Sequence, residues 1–127
     1  MKRVIVAMQN ALISEVVISS LKKCNMFVEK ALNDVPELIL NICQLFFCDI
    51  LFMDVTRFGG GAFDNRIKTI DLVKKNNPEI KICLICDNVS DEEISFKVAD
   101  LKRLGVIDEF FYQSVPSDYI ADIISTM

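Results

Sequence analysis

Five short apolar runs alternate with five amphipathic segments, which predicts an α/β domain: a doubly wound, five-stranded parallel sheet with helices on both faces. Two further observations agree. The strand candidates are apolar throughout rather than in alternation, as strands covered on both sides require. The chain has 127 residues with 52% hydrophobic and 25% charged, the size and make-up of one domain with a real core.

Lys2–Ala7, rich in valine and isoleucine, reads as the first strand. From Asn10 to Cys24 the period changes: Ile13, Val16, Val17, Leu21 and Cys24 fall at helical spacing and predict an inward stripe. Met26–Ala31 returns to a strand. Asp34-Val35-Pro36-Glu37 reads as a helix start, with Asp34 as N-cap, and the helix continues through Leu38, Ile39, Ile42, Leu45 and Phe46. Cys48–Asp54 is the most apolar strand and ends in an aspartate. After a loop with three glycines comes a helix from about Asp64 to Lys75, with Ile67, Ile70 and Val73 inward, broken by Asn76-Asn77-Pro78. Ile80–Cys86 is the fourth strand. Ser90-Asp91-Glu92-Glu93 reads as a capping box, Ile94, Val98 and Leu101 line its helix, and Gly105 stops it. Ile107–Tyr112 and Pro116–Ser125 supply the last strand and helix.

Composition removes several function classes. There is no histidine, so every scheme of catalysis or metal binding that needs an imidazole is excluded. With 14 basic against 18 acidic residues the net charge is −4, contrary to the basic face that direct nucleic-acid binding requires. The apolar run Val4–Met8 is far short of the roughly 20 residues of a membrane span, and it stops at Gln9-Asn10 before a signal-peptide core is complete. The expectation is a cytoplasmic domain with no membrane contact. Five cysteines without a secretory signal read as free thiols. Cys83 and Cys86 have CxxC spacing, but residues i and i+3 of a strand face opposite ways about 10 Å apart, too far to share one zinc ion.

In a doubly wound sheet chemistry collects at the carboxyl ends of the strands. Those ends are Met8-Gln9-Asn10, Asp54 with its loop, Cys86-Asp87-Asn88 and Tyr112-Gln113-Ser114. Read by itself, Asp54 is equally a solvated strand-end aspartate that begins a turn.

Lys2–Val6, Cys48–Val55 and the stretch from Gly105 through Pro116 resemble the CheY-like receiver domains of response regulators in two-component signalling, over essentially the whole chain. The resemblance implies a flavodoxin/CheY-like (βα)5 fold with strand order 2-1-3-4-5. It also implies that Asp54 is the phosphoacceptor position. Three departures accompany it. Where the family carries an acidic Mg²⁺-binding pair stand Met8 and Gln9, which should hold magnesium weakly at most. The family's phosphoryl-pairing lysine falls on Tyr112, with no lysine or arginine anywhere after Arg103. Its hydroxyl residue falls on Cys86, a weak donor, and its aromatic switch on Glu109. The loop Thr56–Ala62 replaces the usual Met-Pro segment. Gly59, Gly60 and Gly61 make it either a mobile connection or an anion nest, and Arg57 is a candidate to neutralise Asp54.

The resulting expectation is one receiver-like domain over residues 1–127, not an enzyme and without a cofactor, either alone or as the N-terminal part of a longer regulator. It would act by protein–protein contact with a sensor kinase or downstream regulator, with weak or no phosphorylation. The family's dimer face, helix 4–strand 5–helix 5, would present Lys97, Asp100, Arg103, Asp108, Asp118 and Asp122 to a second copy. Two alternatives remain: a working phosphoreceiver using Asp54, and a flavodoxin-like small-molecule binder. The turn Ala7–Ala11 lacks the threonine, serine and glycine of a flavin phosphate loop.

Overall fold

β3 (Ile50–Val55) is buried at every position, and the sheet is laid out around it. The computed structural model describes residues 1–127. β1 (Arg3–Ala7) pairs with β3 and with β2 (Phe27–Lys30), while β4 (Lys81–Cys86) bridges β3 to β5 (Glu109–Tyr112). All four ladders are parallel and the order is β2-β1-β3-β4-β5, as expected.

The period of two along each strand splits the core into two layers. Ile5, Ala7, Leu51, Met53, Val55, Leu84 and Cys86 face α2 (Pro36–Leu45), α3 (Phe63–Asn76) and α4 (Glu92–Arg103). Val4, Val6, Phe52, Cys83 and Ile85 face α1 (Ala11–Lys23) and α5 (Ser117–Ser125). Cys83 and Cys86 therefore lie in different layers, as strand geometry requires. Each buried leucine, isoleucine or phenylalanine contributes about 1.5–3 kcal/mol to holding the layers together. No helix is long and apolar enough to cross a membrane.

Three local readings are corrected. The inward stripe of α1 is Ser14, Val17, Ser20 and Leu21, whereas Val16 is exposed. The small serines let α1 lie close to its neighbours, and Ser20 donates to the hydroxyl of Ser117 on α5 at 2.8 Å. The N-cap of α2 is Val35, with no side-chain cap, and Asp34 is engaged elsewhere. The N-cap of α4 is Asp91 rather than Ser90: its Oδ1 accepts the Ile94 N–H at 3.3 Å. Gly105 ends that helix in the left-handed region, φ 76°.

Candidate functional site

Asp54 is the fifth residue of β3, and its carboxylate is 0% exposed. The β1–α1 turn closes over it with backbone donors. Gln9 N–H reaches Oδ1 at 3.0 Å and Asn10 N–H reaches Oδ2 at 2.9 Å. The remaining partner is one that sequence reasoning missed. Arg66, one turn into α3 and 0% exposed, donates from Nη2 to Asp54 Oδ1 at 2.7 Å. The same guanidinium donates from Nε to the Asp54 backbone carbonyl at 2.7 Å and from Nη2 to the Ala7 carbonyl at 3.0 Å. Nη1 makes no hydrogen bond, but lies 2.8 Å from Asp34 Oδ1 in an ionic contact. One buried cation thus ties together the ends of β1 and β3, the β2–α2 loop and α3.

A signal for Arg66 existed. The buried residues of α3 are Arg66, Thr69, Ile70 and Val73, an i, i+3, i+4, i+7 stripe that extends the inward face one turn toward the N-terminus. Asp34 is the residue that reads as a cap and acts as an ion-pair partner.

The glycine loop is held by a set of hydrogen bonds. Residues 59–61 form a 3₁₀ turn that runs directly into α3. The Gln9 side-chain carbonyl accepts from Gly61 N–H at 2.9 Å and from the Thr56 hydroxyl at 3.0 Å. Asn65 donates to the Gly60 carbonyl at 2.7 Å and to the Asp34 carbonyl at 2.9 Å. Gly59 takes φ 79°, which glycine adopts without a Cβ penalty. Gly60 and Gly61 are needed for room: a Cβ there would lie 2.4 Å from Asp34 Cβ or from Thr56 Oγ1.

Arg57 does not neutralise Asp54. Its Nε donates to Asp91 Oδ2 at 2.9 Å across the mouth of the site, with 62% of its side chain exposed. That hydrogen bond, with the Ile94 N–H, holds the Asp91 carboxyl below the ordinary carboxylate range and raises Arg57 above its usual value. Asp87 is likewise held low, chiefly by the Ser90 N–H and hydroxyl, then by the Val89 N–H.

The other expected site residues face away. Met8 is 7% exposed and packs in the layer beneath α1 and α5. Val55, Cys86 and Tyr112 stand side by side in register, and Cys86 and Tyr112 pack in the layer of α2, α3 and α4. The Tyr112 ring meets Phe110 edge-on with centroids 5.6 Å apart. Burial raises the Cys86 thiol to about 11. Asp87 and Gln113, one residue beyond the expected positions, instead line a cavity of about 390 Å³ with Asn10, Thr56, Arg57 and Asp91. Glu109, placed at the aromatic switch, accepts a 2.7 Å ion pair from Lys102.

Several of the charges expected at a dimer face also make contacts within the chain. Asp118 accepts from Ser20 at 3.2 Å and Asp122 lies 4.0 Å from Cys24 Sγ, both toward α1. Asp108 accepts the Ile82 N–H at 2.8 Å, and Lys97 sits 5.5 Å over the Phe63 ring of α3. Asp100 and Arg103 pair with each other at 3.3 Å, and Lys97, Asp118 and Asp122 also stay exposed on their helices.

Receiver domains use Mg²⁺, and the residues present do not fit it. No three carboxylates or thiols converge to hold a metal. The turn after β1 offers none, and Asp54 and Asp34 are both spent on Arg66. A fixed guanidinium occupies the charge-neutralising role beside the carboxylate.

Protein-family models give no match to the chain, and a search of curated proteins finds no relative. Solved structures do match. The response regulator TrrA from Thermotoga maritima, in complex with Mg²⁺ and BeF, is 20% identical over 99% of this chain and 98% of that one, with a TM-score of 0.72. The Vibrio cholerae chemotaxis protein CheY4 is 16% identical over 99% and 98%, TM-score 0.75. A member of a family of streptococcal redox sensors evolved from two-component response regulators is 13% identical over 99% of this chain and 50% of that one, TM-score 0.77. The strand order, the layering and these likenesses together identify the fold of this chain as that of the CheY-like response-regulator receiver domains.

Proposed function

We propose that this chain is a non-catalytic, receiver-like signalling module whose phosphoacceptor position has been converted into an internal lock. The observation that carries the reading is the state of Asp54: its carboxylate is fully buried, bonded at both oxygens, and paired with a cation supplied by its own chain. Phosphoryl transfer needs an exposed nucleophilic oxygen in line with the donor and a metal to neutralise the transferred charge. The β1–α1 turn removes the first, and Arg66 substitutes for the second. Such a module works in one conformation, and its output is contact with a protein partner, a kinase or a downstream regulator in the cytoplasm.

Large exposed apolar side chains at Phe96 of α4, Leu104 just after it and Tyr119 of α5 are candidates to carry that contact. The exposed charges of Lys97, Asp100, Arg103, Asp118 and Asp122 surround these side chains, so the partner surface combines apolar anchors with a charged rim.

Incubation with a small phosphodonor and Mg²⁺, followed by intact mass spectrometry, tests the reading. Wild type is expected to stay at its unmodified mass. An added phosphoryl group that disappears in Asp54→Asn would establish the working phosphoreceiver instead.

A further inference from the structure

At the other end of β3 from Asp54, α2 finishes in a turn of defined chemistry. Phe46 caps the helix and Phe47 enters the left-handed region at φ 52°. Phe47 N–H donates to the Gln44 carbonyl at 3.4 Å, and Cys48 N–H donates back to the Cys43 carbonyl at 2.9 Å. This double closure is a Schellman motif, in which the residue after the left-handed one packs on the residue five positions earlier. That contact is normally between two aliphatic side chains. Here it is between two thiols.

Cys43 and Cys48 are 6% and 4% exposed and free. Together they line a cavity of about 260 Å³, bordered by the exposed ring of Phe47 and by Val73, Asn77 and Ile80, large enough to admit a small oxidant. A disulfide needs α-carbons within roughly 4.4–6.8 Å, a span that residues joined directly from N–H to carbonyl across such a turn satisfy. No other pair is so placed: Cys83 and Cys86 occupy opposite layers, and Cys24 lies on α1 beside Asp122.

We propose that Cys43 and Cys48 form a redox-responsive dithiol that a hydroperoxide converts to a disulfide, pinning the end of α2 to the start of β3. Cys43 sulfur attacks a peroxide oxygen and the O–O bond breaks. One water leaves with the thiol's proton, and Cys43 becomes a sulfenic acid. Cys48 sulfur then attacks Cys43 sulfur, the S–O bond breaks and a second water leaves. Two thiols are oxidised by two electrons, and hydrogen peroxide is reduced to two waters. The order of events follows from the pair itself. The Cys48 thiol is pushed strongly upward, first by its hydrogen bond to Cys43 and then by burial. Cys48 Sγ directs its proton to the Ile50 carbonyl at 3.0 Å, which assigns Cys43 as the attacking sulfur and holds Cys48 within reach to resolve.

The test is to treat the folded protein with stoichiometric hydrogen peroxide, denature it in excess maleimide and count adducts by intact mass. Of the five cysteines, two are expected to escape alkylation, with the protein two hydrogens lighter before labelling and a Cys43–Cys48 cross-link in its peptide map. Dithiothreitol should restore full labelling. Cys48→Ser is expected to stop at a dimedone-reactive sulfenic acid on Cys43. The wild-type measurement decides the matter even where that variant folds poorly. Retention of all five adducts, or loss mapping to any other pair, including Cys24 cross-linked between two copies, overturns the proposal.

Discussion

The two ends of the glycine loop each carry an arginine bound to an aspartate, and the pairs could hardly differ more in consequence. Arg57 meets Asp91 at 2.9 Å and Arg66 meets Asp54 at 2.7 Å, so charge separation does not distinguish them. Surroundings do. The Arg57 and Asp91 side chains are 62% and 14% exposed, those of Arg66 and Asp54 1% and 0%. Water screens the first pair, and holding two long side chains together offsets most of what is gained. The second pair is dry, so removing either partner leaves a buried charge whose loss of hydration is no longer offset by its counter-ion. An arginine at the rim is ornamental to stability, whereas an arginine under the β1–α1 turn decides whether this end of the sheet closes at all.

The widest separation between the pairs should come from Arg66→Ala. It leaves the Asp54 carboxylate buried without its cation, strips donors from the carbonyls of Ala7 and Asp54 and frees Asp34. A loss of about 3–5 kcal/mol is expected, read from the midpoint and slope of urea unfolding. A loss below 1 kcal/mol would place Arg66 on the same footing as Arg57 and break the comparison. Asp54→Asn comes next. The amide keeps the volume and one acceptor but turns an N–H₂ toward donors, so a smaller loss of about 1.5–3 kcal/mol is expected by the same measurement.

These residues also show which parts of the molecule could be read from its sequence. The βα alternation, the position of Asp54 and the stop at Gly105 depend on local signals, apolar period and backbone conformation, and all three appear where expected. Arg66 depends on a partner distant in sequence. In an amphipathic helix a charged residue defaults to the wet side, although its spacing to Ile70 and Val73 placed it on the dry one. Asp34 had a sufficient local explanation as a helix cap, which concealed the ionic one. Cys86 and Tyr112 failed for a different reason: a strand has period two, so an alignment one residue out turns each side chain to the far face. Asp87 and Gln113 are the residues that reach the mouth of the site.

The loop between the arginines offers an intermediate effect. Gly61→Ala would place a methyl group 2.4 Å from Thr56 Oγ1, 3.0 Å from Gln9 Oε1 and 3.3 Å from Asp54 Oδ1. Its backbone does not demand glycine, so the cost is overpacking, about 1–3 kcal/mol. The damage should be local. Amide exchange of Gln9 and Asn10, whose N–H groups cover Asp54, should quicken more than that of β4. Uniform quickening throughout the sheet would mean that the loop is not a separate lid on the site.

The smallest effect belongs to Arg57→Ala, and its dependence on pH identifies it. Asp91 is held below its ordinary value of 3.8 in the folded chain, first by the hydrogen bond from Arg57. The unfolded chain therefore takes up a proton at Asp91 before the folded chain does. The stabilisation this represents is complete above the ordinary carboxylate range and is lost as pH falls through the lower folded value. Arg57→Ala removes the main cause. Its Tm should lie slightly below that of wild type at neutral pH, with the gap closing as Asp91 protonates below pH 3.8 and shrinking in high salt at any pH. Arg66→Ala, whose partner Asp54 is sealed from solvent, should respond less to salt. A gap for Arg57→Ala that survives both acid and salt would mean that the guanidinium contributes through packing of its stem rather than through charge, and that the contrast between the two arginines is one of contact area rather than of dielectric surroundings.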